Sequence, residues 1–237
     1  VIEKLLDFEI YIDDLNTVTM IKSEIKLDLA DVSVAGNLAH SKDAEAFVIF
    51  VHSADSNHSS AKNNFVADVL NQNNISTLII DLLTEEEGKE ALLKVNIELL
   101  KTRLIRVTQK VIEQFAFDNL PIGYFGVGAG AAAAFEASVF LGDTIKAIVS
   151  QSGLANLAVS LDKVTAPTLL INGSLDNDVI QSDKNAYEYL ACDKNIEIVN
   201  GDSGSFEEPD ALNEVANLAS SWFDLYLINK TVNTNAH

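Results

Sequence analysis

The chain has 237 residues, 35 of them acidic and 16 basic, for a formal net charge of −19. That length suits one α/β domain, and 48% hydrophobic residues supply ample core. A surface this acidic repels phosphate backbones and anionic lipids, which argues against nucleic acid and bare membrane as partners.

In chain order, Phe8 to Ile12, Ile21 to Leu29 and Val32 to Gly36 alternate apolar with polar residues and read as strands with one buried face. Phe47-Val48-Ile49-Phe50-Val51 is a continuous apolar run, the pattern of a strand covered on both faces. Ala61 to Asn71 places Ala61, Phe65, Val66, Val69 and Leu70 on one helical face. Ile75 to Ile80 is a second buried strand. Glu90 to Phe115 carries Leu93, Ile97, Leu100, Leu104, Val107, Val111 and Phe115 at steps of three and four, which predicts one long helix. Then come a strand at Ile122 to Phe125, an alanine-rich helix at Ala129 to Phe140, and strands at Ile145 to Val149 and Thr168 to Ile171. A helix at Asp183 to Ala191 and a strand at Ile196 to Val199 follow. The closing helix starts at Pro209, a favoured first-turn residue, with Leu212, Val215, Ala219, Trp222 and Tyr226 on one face.

Strands alternating with helices predict an α/β fold: a mostly parallel central sheet with antiparallel N-terminal edge strands and helices on both faces. No Gly/Ser-rich or Pro-rich stretch marks a linker, so residues 1–237 read as a single domain. Cys192 is the only cysteine, so no internal disulfide forms; a structural thiol and a cytoplasmic setting are the expectations. The longest apolar-rich run, Ala129 to Leu141, is interrupted by Glu136 and is too short to span a bilayer. No signal peptide is visible. The chain opens on Val1 in place of methionine, which leaves room for residues upstream.

In such a sheet the chemistry gathers at the carboxyl ends of the strands. After Phe125 comes Gly126-Val127-Gly128-Ala129-Gly130 and then helix. This is the strand–turn–helix shape of the nucleophile elbow, G-x-S-x-G, with glycine at the reactive position. A phosphate cradle is the weaker reading, because the spacing is not G-x-G-x-x-G and no P-loop lysine follows.

Three stretches then point to a family. Phe47 to His52 with His58-Ser59, Ile80-Asp81-Leu82-Leu83-Thr84-Glu85-Glu86-Glu87, and Leu120-Pro121-Ile122-Gly123-Tyr124-Phe125-Gly126 resemble, in order and spacing, the dienelactone hydrolase-like α/β hydrolases. The resemblance runs from about Glu24 to Leu227. It implies an α/β-hydrolase fold and hydrolysis of esters or lactones by a Ser–Asp–His triad without a cofactor. Carried over by position, Gly128 stands where the family has its nucleophile. Asp176, in Asn172-Gly173-Ser174-Leu175-Asp176, stands at the acid, with Asp178 as the alternative. Gly204, before Ser205-Phe206-Glu207-Glu208-Pro209, stands at the histidine. The family's His-Gly oxyanion loop reads His52-Ser53 here, and the amides of Ser53 and Ala129 would face the pocket. His52 and His58 match histidines outside the triad; His40 and His237 lie further off. No two histidines have metal-ligand spacing with a carboxylate on the same helix, so no metal site is expected.

The resemblance therefore implies a non-catalytic member of the family, a pseudoenzyme that binds a small molecule or a protein. The alternative is an active ester or lactone hydrolase with atypical residues around Asp176, His52 or His58. A structural subunit, homo-oligomeric or otherwise, is the third reading. Both glycine positions are expected to accept serine and histidine without a change of backbone.

Overall fold

A computed structural model describes residues 8–13, 17–52, 58–115 and 120–229, and nine strands among them form one sheet. They are β1 (Phe8–Asp13), β2 (Thr17–Asp28), β3 (Ser33–His40), β4 (Ala46–Val51), β5 (Ile75–Ile80), β6 (Ile122–Val127), β7 (Ile145–Gln151), β8 (Thr168–Gly173) and β9 (Lys194–Val199). Their spatial order is β1-β2-β3-β5-β4-β6-β7-β8-β9. β1, β2 and β3 form an antiparallel edge that joins β5 antiparallel; from β5 to β9 every pairing is parallel.

The helices are α1 (Ala61–Gln72), α2 (Ala91–Lys94), α3 (Ile97–Phe115), α4 (Ala129–Leu141), α5 (Asn177–Tyr189) and α6 (Pro209–Phe223). Alternation along β4 shows how the core divides. Phe47, Ile49 and Val51 pack with Leu104 and Val107 of α3, the alanines of α4 and Ala186 of α5. Ala46, Val48 and Phe50 pack on the other face with Val66 and Leu70 of α1 and Val215, Ala219 and Phe223 of α6. All six β4 residues are buried, as a strand covered on both faces requires. In β2 and β3 the buried side chains lie mainly on one face: Ile25, Leu27, Val34 and Leu38 join the α3 and α4 side, with Ala39 buried on the other. Among the described residues, no helix is long and apolar enough to cross a membrane.

Two helix expectations need correction. Glu90 to Phe115 is not one helix. α2 stops at Lys94, and Asn96 restarts the chain as α3 by accepting the Leu99 N–H on its Oδ1. An Asn side chain that competes for backbone donors favours such a cap over a helix interior. The helix expected from Asp183 begins at Asn177 and ends at Tyr189. Asp176 caps it, accepting the Val179 N–H at 3.2 Å. The apolar pattern hides this start because a carboxyl, Asp183, occupies the buried face of α5. Several strands also run further than their apolar residues suggest, β3 to His40 and β8 to Gly173.

Asp183 is fully buried beside the equally buried Asn172 of β8, and neither carboxyl oxygen makes a well-formed hydrogen bond. Burial pushes its pKa up to about 7, and the Asn172 amide pulls it back only in part. The folded value lies above the unfolded one, so its stabilising contribution is complete below the ordinary aspartate pKa and is lost as pH rises to about 7. His40, whose pKa burial lowers, works in the opposite direction near the top of that window. Asp183→Asn is therefore expected to raise the melting temperature at pH 8 and leave it nearly unchanged at pH 4. The gain should reach at most about 4 kcal/mol. Thermal unfolding of both proteins across that range checks it; equal pH profiles would refute the assignment.

Candidate functional site

The carboxyl ends of β4 to β9 deliver their following residues to one edge of the sheet. At the end of β6 the chain turns through Gly128, with φ 57° and ψ −127°, straight into α4. A positive φ there is easy for glycine and strained for a side chain. The helix is drawn close by small residues: a Cβ on Gly130 would lie 2.3 Å from the Val51 carbonyl oxygen, and one on Gly126 2.5 Å from Ala131 Cα. Ala129 is buried at the first position of α4, where a backbone N–H has no intrahelical acceptor. The sharp strand-to-helix turn is thus present, and its apex carries no side chain.

The positions of Asp176 and Gly204 meet beyond the ends of β8 and β9. A Cβ on Gly204 would lie 3.5 Å from Asp176 Oδ2. The Gly204 loop is pinned by Asp202, a buried residue whose Oδ1 accepts the Gly204 N–H at 2.7 Å and the Phe206 N–H at 2.9 Å. Ser152, just beyond β7, reaches the same loop. It sits at φ 44° and donates its hydroxyl to the Gly204 carbonyl at 3.0 Å. The expectation that Gly204 would accept histidine unchanged is corrected here. Its φ is +87°, and a Cβ would fall 2.7 Å from Ser152 Oγ. Asp178, the alternative acid, lies in the first turn of α5 and lines a different feature, a cavity of about 570 Å³ between α5 and the turns after β7.

His52 and His58 converge on Asp81, the residue after β5. Asp81 Oδ1 accepts the His58 backbone N–H at 2.7 Å, and Oδ2 lies 2.5 Å from His58 Nδ1. His52 Nε2 is 3.2 Å from Oδ1, an electrostatic contact more than an aligned hydrogen bond. Burial alone would raise the Asp81 pKa, but the two histidines outweigh it and hold the carboxyl below its usual range. The next turn is held by Glu87, which grips Arg103 through both oxygens at 2.6 and 2.7 Å and accepts the Thr84 N–H. Arg103 pulls the Glu87 carboxyl down to about 2. Asp81, His52 and His58 line a cleft of about 610 Å³; Gly128, Asp176 and Gly204 line neither this cleft nor the one at α5. Ser53 and His237 lie outside the described residues. Among the described residues, no group of three or more His, Cys, Asp or Glu is placed to hold a metal. Cys192 is half-buried, with Sγ 3.8 Å from Thr168 Oγ1, and burial raises its pKa.

Sequence reasoning passed over Ser152, Asp202 and the role of Asp81. Two of them, Asp81 and Ser152, directly follow buried strands, and that position was the available signal. Asp81→Ala is expected to cost about 2–3 kcal/mol, since it strips partners from two largely buried histidines. The contribution of Asp81 is present above the ordinary carboxylate pKa and is lost as pH falls through its lowered value. Urea unfolding at neutral pH measures it, and an unchanged midpoint would mean that Asp81 holds nothing.

No family model matches the chain. Among solved structures it is similar to a dienelactone hydrolase from Anabaena variabilis, with 39% identity, a TM-score of 0.84, and coverage of 88% of this chain and 99% of that one. It also shares its fold with a dienelactone hydrolase-like promiscuous phosphotriesterase from metagenomic libraries, at 13% identity and a TM-score of 0.71, over 88% of this chain and 99% of that one. Two curated sequences from Mycobacterium tuberculosis, provisionally named phosphoribosyl transferases, are 38% identical over 201 residues, or 84% of this chain. The chain spans 45% of the length of those relatives. The Anabaena likeness extends over nearly the whole of that protein, and on it the chain belongs to the dienelactone hydrolase-like family of the α/β-hydrolase fold.

Proposed function

We propose that this chain is a non-catalytic family member whose carboxyl edge binds a small molecule or a protein. The observation that carries this reading is Gly128 at the apex of an otherwise complete elbow. Gly204 beside Asp176 supports it. Loss of a serine nucleophile or its histidine alone costs roughly 10⁶-fold in turnover in a well-studied serine protease. What then remains is about 10³–10⁴-fold over water. The name of the Anabaena relative points to ester- or lactone-shaped ligands. The transferase name of the curated relatives is not carried over, because more than half of their length has no counterpart here.

A second reading rests on His58, whose ring is oriented by Asp81 at 2.5 Å. A histidine held by a carboxylate is the base-and-orienter half of a hydrolytic triad. In that reading the chain activates water in the 610 Å³ cleft without an elbow nucleophile.

A fluorophosphonate probe is expected to leave the protein unlabelled, with no turnover of short aryl esters or lactones. Turnover that disappears in His58→Ala but persists in Asp176→Asn would favour the second reading. Gly128→Ser with Gly204→His is expected to restore little activity, because the new histidine meets Ser152. Adding Ser152→Ala should outperform the double change. Ordinary esterase rates from the double variant alone would defeat the claim of a repurposed edge.

A further inference from the structure

We infer that the outer edge of β9 is an interface with a second copy of this chain, the two β9 strands pairing antiparallel about a two-fold axis at Ile196. β9 ends the sheet, with β8 on its inner side and α5 and α6 packed against its two faces. Its backbone groups alternate in direction. The Asp193 and Val199 carbonyls accept from the Thr168 and Ser174 N–H groups at 2.8 and 2.9 Å, so the odd-numbered residues of the strand turn toward β8. Lys194, Ile196 and Ile198 then point their N–H and C=O groups outward, where no further strand follows among the described residues.

Natural sheets guard such an edge with a bulge, a proline or a free lysine. At the opposite margin β1 is bulged between Tyr11 and Ile12. β9 has none of these guards. Its register with β8 is unbroken, and it contains no proline. Its one lysine is spent within the chain: Lys194 Nζ donates to the carbonyls of Tyr187 and Leu190 and lies 4.4 Å from the centre of the Tyr187 ring. Ile196 and Ile198 stay only partly buried on the same strand.

Glu197 selects both occupant and register. A two-fold pairing has to set even-numbered residues against even-numbered ones, so that outward groups meet outward groups. Centred on Ile196, it places Asn195 opposite Glu197 of the second copy, twice by symmetry, and Lys194 opposite Ile198. Amide and carboxylate are complementary there. Within one copy Asn195 Nδ2 already donates to Glu197 Oε1 at 2.7 Å, and it has a second N–H to give. Moving the centre by one residue sets Glu197 against itself or against Asp193, and like charges directly opposed are destabilising. Larger slips leave much of the strand unpaired. The edge is thus complementary to its own copy in one register. The carboxyl edges of the two copies then point in opposite directions, so both stay open.

The test combines sedimentation equilibrium with amide hydrogen exchange at about 1–100 µM chain. A dimer is expected, with the Ile196 and Ile198 amides protected in it. Asn195→Glu, at an exposed position, should weaken the dimer roughly threefold or more, and Asn195→Lys should tighten it by a similar factor. Ile196→Cys in a Cys192→Ala background should link two copies on mild oxidation, since an opposed hydrogen-bonded pair lies about 5.5 Å apart at Cα. Glu197→Cys in that background should not, because it meets its own copy only diagonally, at about 7–8 Å. A monomer at all of these concentrations would overturn the proposal, and protected amides in that monomer would show that another part of the chain covers the edge. A dimer indifferent to both Asn195 variants, or linked through Glu197→Cys and not Ile196→Cys, would overturn it as well.

Discussion

The seating of α4 on the middle of the sheet governs the rest of the molecule. Ala131, Ala132, Ala133 and Ala134 are fully buried, and Gly130 lies so close to the Val51 carbonyl that no side chain fits between them. A helix can approach a sheet this closely only when the residues between them are small. The approach forces the chain to reverse within one residue at Gly128, since there is no room for a looser connection. The elbow is thus a consequence of packing and is independent of what stands at its apex. Leu154 N–H reaches the Gly128 carbonyl at 3.0 Å and ties the next crossover to the same point.

Carboxylates anchor the edge that this packing creates. Asp81 binds both backbone and ring of His58, Asp176 caps α5, and Asp202 collects two amides of the Gly204 loop. Each meets N–H groups that a loop leaves unpaired as it departs from the sheet, and a charged acceptor makes the stronger bond. The acidity of the chain therefore has a local use as well as a global one. Asp183 is the exception, since it sits on the inward face of α5 beside the Asn172 amide.

Legibility in the sequence followed burial. β5 was readable to the residue and β4 to within one, because both faces are apolar and nothing competes with the run. β2 begins at Thr17, ahead of the expected Ile21, and β3 runs past the expected Gly36 to His40, where Asn37 on the outward face interrupts the apolar pattern. α5 was misplaced because its inward face holds a carboxyl, and the α2 and α3 boundary was missed because one Asn side chain decides it. At the site, the residues following each strand could be named in advance. Their meetings could not. His58 and Asp81 are 23 residues apart, and Ser152 and Gly204 are 52 apart. Which pairs touch depends on the order β5-β4-β6-β7-β8-β9, which the chain order of the strands does not disclose.

The two glycines at the triad positions differ physically, and the difference bears on how the edge came to its present form. At Gly128 the backbone holds the strained conformation that an elbow side chain requires, and the turn is imposed by the neighbouring small residues. A serine there would inherit a conformation already stabilised by α4. At Gly204 the backbone lies at φ +87°, and Ser152 bonds to its carbonyl in the space where a side chain would start. Histidine would have to displace that hydroxyl and strain its own backbone. Under the proposed reading, the first change leaves its surroundings as they were, while the second is locked in by its neighbours. A site altered only at Gly128 keeps the backbone of its elbow; at Gly204 the backbone itself, at φ +87°, opposes a side chain.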